Sequence, residues 1–361
     1  MEKHYAIFFE FLRFCIGSES EIPSSLKEAD WKELYRIAQK QCLVGILFDG
    51  IQKLPPAEVG MSKDLLLQWM MQCQMLEKAN VRLNDAAIQI SEWFRKKGFR
   101  TCILKGQGNA LMYPNPYSRT PGDIDIWVEG GDKRVISFVR SISPHEKACY
   151  HHIEFPSYKG VEVEVHYQPS FLLCFWHNRK LQKYYERVKE EQFSHRVMLG
   201  EQGEIAIPTV EFNLIFQLTH IYAHLMNEGI GLRQLLDYYY VLISDDLLLI
   251  RDRVQKELKE LGLWKFAGAI MYIMQEVFGM PASRLIVPPN EKYGRFVLNE
   301  VLEAGNFGRH DERNRFGRSK LGHNLQRVYR DIRLVRYFPA EAMSEPFFRV
   351  WHFFWRLKHR R

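Results

Sequence analysis

The sequence predicts an α+β chain in which a small α/β unit, residues 100–175, is embedded in a mostly helical polypeptide. Three observations predict it. Apolar residues recur at helical spacing before residue 100 and again after about 179. Short β-type runs with period-two alternation are confined to the stretch between them, and turn-forming clusters such as the Pro/Asn/Gly-rich 113–122 punctuate that stretch. The 361 residues, at roughly 150 per domain, fit two or three units, read here as 1–99, 100–175 and 176–361.

The N-terminal region holds three helical segments. Phe8, Phe9, Leu12 and Ile16 share a face; a second segment covers 30–54 and stops at Pro55-Pro56; a third, 63–97, carries apolar positions from Leu66 and Trp69 to Phe94 before Gly98 ends it. The central unit opens with a β-run at 101–104 that leads into Lys105-Gly106, a short helix at 109–112 and the turn-rich 113–122. The run 123–128, Asp-Ile-Asp-Ile-Trp-Val, alternates acidic and apolar residues and is a strand. A helix at 133–143 precedes two strands, 150–155 and 161–167, joined by a turn at 156–160. Helices resume at 179, most clearly at 210–227, 232–243, 247–262 and 263–278; prolines at 281, 288 and 289 mark a break, and 309–320 is a charged loop.

Composition excludes several classes. With 46% hydrophobic and 26% charged residues the chain is neither disordered nor low-complexity. The net charge of +7 is concentrated in 305–361, where 14 Lys/Arg face 5 Asp/Glu; the rest is near neutral. There Phe348, Trp351, Phe354 and Trp355 interleave with Arg349, Arg356, Lys358, Arg360 and Arg361. The expected arrangement is a terminal helix docking its aromatics on the body, with nucleic-acid or anionic-membrane binding as the alternative. Six scattered cysteines without a CxxC pair read as reduced thiols rather than a disulfide framework or zinc site. No signal peptide and no run approaching 18 apolar residues is present, so the expected location is the cytoplasm, with no transmembrane segment.

The chemistry-bearing residues lie in the central unit. Asp123 and Asp125, two apart on a strand, project from one face while Ile124 and Ile126 enter a core. Two like charges so placed repel unless a cation sits between them, which suits a hard divalent ion such as Mg²⁺. Upstream, Lys105-Gly106 opens a turn whose backbone N–H groups and ammonium could hold phosphate oxygens. Downstream, Glu162, Glu164 and His166 alternate on one strand face and offer a third carboxylate; spacing alone leaves Glu162 and Glu164 as rivals. His220 and His224, four apart on a helix, read first as satisfied helix histidines and second as a cleft lining. Asp237 is expected to support the cleft or to pair with Arg233.

These residues resemble a known family. Leu104-Lys105-Gly106, Tyr113-Pro114, Arg119, the Asp-Ile-Asp strand and Glu164-Val165-His166 are similar to the signature of the bacterial "uncharacterised nucleotidyltransferase" family, a branch of the DNA polymerase β-like nucleotidyltransferase superfamily. A looser likeness runs through His220, His224, Arg233 and Asp237. The resemblance implies a polymerase β-like core, a small mixed sheet with helices, in which Asp123, Asp125 and Glu164 are catalytic and bind two Mg²⁺ or Mn²⁺ ions. It places Gly106 at the start of a phosphate-binding turn. Here Gln107 follows that glycine where many relatives have serine or glycine, so Lys105 and Arg119 are the expected substitutes, and Lys105, Gly106, Gln107 and Arg119 form the expected nucleotide-binding set.

The expected activity is metal-dependent transfer of a nucleoside monophosphate from an NTP, ATP first among the four, to a small-molecule, protein or RNA acceptor with release of pyrophosphate. The alternatives are a non-catalytic nucleotide-binding or regulatory module and a nucleic-acid-binding protein that uses the basic tail.

Overall fold

The structure is a computed structural model and describes residues 3–56, 59–201, 203–308, 311, 313 and 320–359. Most of the charged loop expected at 309–320 lies outside the described residues, as do Arg360 and Arg361. The chain opens with helices α1 (Lys3–Ile16), α2 (Trp31–Gln41), α3 (Val44–Ile51) and α4 (Lys63–Lys96). The single segment expected at 30–54 is thus two helices. Cys42 adopts a left-handed φ of 56°, and its N–H closes onto the carbonyls of Ala38 and Gln39, which ends α2. Asp30 caps α2 by accepting from the backbone N–H groups of Lys32 and Glu33, and Ser62 caps α4 by accepting from Leu65.

The central unit comprises β1 (Thr101–Ile103), α5 (Gln107–Ala110), β2 (Ile124–Val128), α6 (Gly131–Ile142), β3 (His152–Tyr158) and β4 (Val161–His166). Its sheet has the order β1-β2-β4-β3; β2 and β4 are parallel, the flanking pairs antiparallel, and the sheet is therefore mixed, as expected. The β3–β4 turn is tighter than the sequence predicts. Lys159 and Gly160 both take positive φ (54° and 76°), the conformation of a two-residue hairpin, so β3 runs on through Pro156. Proline is tolerated there because β3 is an edge strand and carries an irregularity between Phe155 and Tyr158.

Helix α7 (Phe175–Ser194) leads to a ribbon of β5 (Arg196–Met198) and β6 (Glu204–Ala206), strands of three residues that no periodicity could announce. Helices α8 (Val210–Asn227), α9 (Leu232–Leu242), α10 (Leu247–Glu260), α11 (Trp264–Phe278), α12 (Glu291–Ala304), α13 (Lys320–Val335) and α14 (Pro339–Lys358) complete the fold.

Two apolar clusters hold these elements. One gathers the sheet with α6 and the second half of α4: Ile124, Ile126, Val163 and Val165 meet Ile90 and Phe94. Phe94 lies within 5.7–6.3 Å, centroid to centroid, of Phe99, Phe138 and Phe155; its truncation to alanine is worth about 3–5 kcal/mol. The other cluster joins the helices before the sheet to those after it, including α1, α3, α8, α9 and α11. Between them the 113–122 segment is clamped: Asn80 Nδ2 on α4 donates to the carbonyls of Tyr117 and Arg119, both at 2.9 Å. A Cβ at Gly45 on α3 would stand 2.2 Å from the Ser118 carbonyl oxygen, so only glycine permits that approach.

Helix α14 docks one of its faces. Phe348 stacks on Phe171 (5.1 Å), Trp351 meets Tyr150 edge-on (5.0 Å), and His352 Nε2 accepts the Tyr150 backbone N–H at 3.1 Å. Phe348 and, more loosely, Trp351 dock as expected, although Trp351 keeps 46% of its surface exposed; Phe347, Val350 and Phe354 are exposed. Among the described residues no helix is long and apolar enough to cross a membrane.

Candidate active site

The site is built on the sheet's two central strands. Asp125 is the second residue of β2, directly opposite Glu164 in the parallel register with β4, and Asp123 stands just before β2. One oxygen from each of Asp123, Asp125 and Glu164 falls within 4.8 Å of the others. Glu162, two residues earlier on β4, is exposed and outside this group. The strand face is no solvated one, because Asp125 is only 2% exposed.

Two cations meet the carboxylates. Lys105, delivered by the chain leaving β1, places Nζ 3.0 Å from Asp125 Oδ2. His166, on β4, places Nε2 2.9 Å from Asp125 Oδ1 and 3.4 Å from Glu164 Oε2. Burial works against charge on His166, yet its hydrogen bonds to Asp125 and Glu164 prevail and raise it to about 9, so it is protonated at neutral pH. Burial likewise opposes ionisation of Asp125, and Lys105 and His166 outweigh it, holding that carboxyl below the usual range. Glu164 is lowered too, with burial opposed by the His166 hydrogen bond. Asp123 differs: the Asp125 charge, followed by burial, pushes its carboxyl up.

Three carboxylates against two cations leave the site one negative charge in excess, and the raised Asp123 is where that excess is felt. An all-oxygen donor set with unrelieved like-charge repulsion fits a hard divalent cation such as Mg²⁺ or Mn²⁺.

Lys105 Nζ also lies 3.1 Å from His220 Nε2 on α8. An ammonium can only donate, so Nε2 accepts. Burial and the Lys105 charge hold His220 well below the ordinary imidazole range, consistent with that neutral role. His224, one turn on, places Nδ1 3.4 Å from Glu228 Oε2. Both histidines line the cleft above the carboxylates, a space of about 600 Å³ walled on the far side by Phe348 and His352 of α14. Cavities of roughly 300–1,000 Å³ hold small-molecule ligands.

The expected nucleotide-binding set divides. Lys105 and Gly106 border the carboxylates, and Gly106 takes a φ of 67°, where a Cβ would stand 3.7 Å from the Asp123 carbonyl oxygen. Gln107 is buried away from the aspartates, its Nε2 donating to Asn84 Oδ1 at 2.6 Å. Arg119 lines the same pocket as Lys105, Gly106 and the two aspartates and is also paired with Asp237 of α9, Nε to Oδ1 and Nη2 to Oδ2, each 2.8 Å. Asp237, expected to support the cleft or to pair with Arg233, lines the pocket beside Asp123 and Asp125; against burial, the Arg119 charge and then the nearby Arg233 charge keep its carboxyl low, while Arg233 donates to the Thr120 carbonyl at 3.0 Å.

The profile of a family described as "uncharacterised nucleotidyltransferase" matches residues 27–279, most of the chain. The chain belongs to the uncharacterised nucleotidyltransferase family. This family assignment agrees with the resemblance carried by Lys105-Gly106, the Asp-Ile-Asp strand and Glu164-Val165-His166. A solved structure, an antigenic nucleotidyltransferase-like protein from Paracoccidioides brasiliensis, aligns with 50% of this chain and 92% of its own at 15% identity and a TM-score of 0.29. No curated protein matches this nucleotidyltransferase-family chain.

Sequence reasoning passed over one group at the site's edge. Cys149, His151 and His152 line the same cleft, and His152 Nδ1 is 3.5 Å from Glu164 Oε2. The Cys-Tyr-His-His run at 149–152 was the available signal.

Proposed function

We propose that this chain is a metal-dependent nucleotidyltransferase that moves a nucleoside monophosphate from an NTP, ATP first, to an acceptor hydroxyl or phosphate. The carrying observation is the meeting of Asp123, Asp125 and Glu164 beneath a cleft large enough for a nucleotide. In the reaction the acceptor oxygen bonds to the α-phosphorus, the bond to the β,γ-diphosphate breaks, and pyrophosphate leaves in line. Two ions held by Asp123, Asp125 and Glu164 would supply charge neutralisation and acidification of the acceptor hydroxyl. Lys105 and the Gly106 turn hold the phosphate side of the substrate against the carboxylates. Glu164 is the acceptor of the hydroxyl proton, and the protonated His166 keeps it and Asp125 in place as charge shifts. His220 receives a Lys105 N–H and aims the ammonium.

A nucleic-acid reading through the basic helix is less favoured, because Phe348 and Trp351 are committed to Phe171 and Tyr150. The test is incubation of wild type and Asp125→Asn with each α-³²P-labelled NTP, Mg²⁺ or Mn²⁺ and cell extract. Label moved to an extract component by wild type alone supports the reading. Nucleotide bound by both without any transfer overturns it and leaves a regulatory binding module.

A further inference from the structure

A second cluster of ligating atoms lies beside the carboxylates, with a different chemistry. Cys149 Sγ is 3.6 Å from His151 Nδ1 and 3.4 Å from His152 Nδ1, and His152 Nδ1 is 3.0 Å from His151 Nε2. One ligand atom from each of the three residues lies within 4.8 Å of the other two. Tetrahedral zinc, with bonds of about 2.3 Å to sulfur and 2.0–2.1 Å to nitrogen, sets sulfur and nitrogen ligands about 3.5 Å apart. The two sulfur–nitrogen separations match that spacing.

The backbone holds the three residues in place. The Cys149 N–H donates to the His152 carbonyl at 2.9 Å and closes the turn, while Ala148 and Ile153 bridge just outside it. The His151 carbonyl accepts from the N–H groups of Tyr167 and Gln168, at 3.0 and 3.2 Å, where the chain leaves β4. These contacts mount the cluster on the sheet.

We infer that Cys149, His151 and His152 form a separate binding site for a borderline metal ion, zinc(II) above all, open towards the cleft at its remaining position. One thiolate and two imidazoles select zinc and its transition-metal neighbours over Mg²⁺, which takes oxygen donors. The Asp123–Asp125–Glu164 set has the opposite preference, so adjacent sites would sort two kinds of ion by donor type. Without a metal, an ordinary cysteine sulfur carries its proton at neutral pH. Binding then forms a metal–sulfur bond, breaks the S–H bond and releases one proton to solvent. The inference concerns these three residues and stands whether or not the chain transfers nucleotides.

Cobalt(II) titration of the chelator-treated full chain, without an affinity tag, tests it. The expected result is a thiolate-to-cobalt charge-transfer band saturating at one equivalent, displaced by Zn²⁺ but not by Mg²⁺. Cys149→Ser should abolish the band, and His151→Ala should weaken cobalt binding at least tenfold. Asp123→Asn and Cys174→Ser should both keep it, the latter because Cys174 belongs to another Cys/His/Glu grouping, with His177 and Glu341. A folded wild type that gives no such band, or a band that persists in folded Cys149→Ser, overturns the inference, with folding checked by circular dichroism.

Discussion

Arg119 and Asp237 form a two-pronged ion pair between the turn that precedes β2 and helix α9, with both nitrogen–oxygen distances at 2.8 Å and both side chains buried. Tyr113 Oη adds a third hydrogen bond to Asp237 Oδ1 at 2.7 Å. The pair joins residues 118 positions apart and ties the loop carrying Asp123 to the helices that wall the cleft. An arginine matched in this way to a carboxylate has its fork occupied, so its first role is to position that loop.

Arg119→Ala should therefore destabilise the chain by about 3–5 kcal/mol, because it strands a buried carboxylate. Asp237→Asn should fall in the same direction. In urea denaturation, the double variant Arg119→Leu/Asp237→Leu should recover much of the loss. A loss in the double equal to the sum of those in Arg119→Leu and Asp237→Leu alone would show that the two do not act as a pair.

Asp123 is held above its ordinary range chiefly by Asp125. Its folded state therefore binds more protons than the unfolded chain between the ordinary carboxyl value and the raised one, and stability falls as pH rises through that window. Asp123→Asn should melt above wild type in chelator at neutral pH. Wild type should gain about 1.4 kcal/mol at tenfold the dissociation constant of Mg²⁺, and the variant should gain much less. Thermal melts with and without Mg²⁺ read both effects.

The two glutamates of β4 should separate cleanly. Glu164→Gln should lower label transfer on the order of 10²-fold or more, whereas Glu162→Gln, exposed and away from the aspartates, should stay within about twofold, the margin of an ordinary surface change. Comparable losses in both would mean that the third carboxylate is not fixed by the β2–β4 register.

His352 links α14 to the body through a nitrogen that must be unprotonated to accept the Tyr150 N–H. Burial, followed by the Arg356 charge, lowers it from the ordinary 6.5 to about 4. Between those values the unfolded chain binds the proton and the folded chain does not. The stabilisation is thus complete above about pH 6.5 and is lost as pH falls towards 4. Wild type should lose about 1–3 kcal/mol across that window from this group, and His352→Gln, whose amide oxygen can still accept, should show a shallower slope in urea melts.

Local periodicity made much of the fold legible. The β2 alternation, the apolar face of α4 and the proline-bounded helices all follow from residues close in sequence. The Asp123 and Asp125 pair was legible too, since the two need only a strand to share a face. What sequence could not supply was partner choice across long separations. That Arg119 would meet Asp237 of α9, 118 positions on, left no mark near Arg119 in the sequence. Gln107 followed the phosphate-turn glycine in sequence, yet Asn84 of α4 draws its side chain the other way. Glu162 and Glu164 share a strand face, and only the pairing of Glu164 with Asp125 separates them. The break at Cys42 was hidden because a left-handed cysteine leaves no compositional mark.

The parallel pairing of β2 with β4 also sets an order of events during synthesis. Asp123 and Asp125 leave the ribosome well before Glu164, and a third donor can join them only after α6 and the β3–β4 hairpin have been made and β4 has slotted beside β2. Until then the nascent chain presents two adjacent acidic groups with no third donor and no His166 to quiet them. The far wall comes later still, since α14 is the last of these elements to emerge. The cleft is thus uncovered until α14 is made, and the carboxylates face solvent on that side before they face a wall.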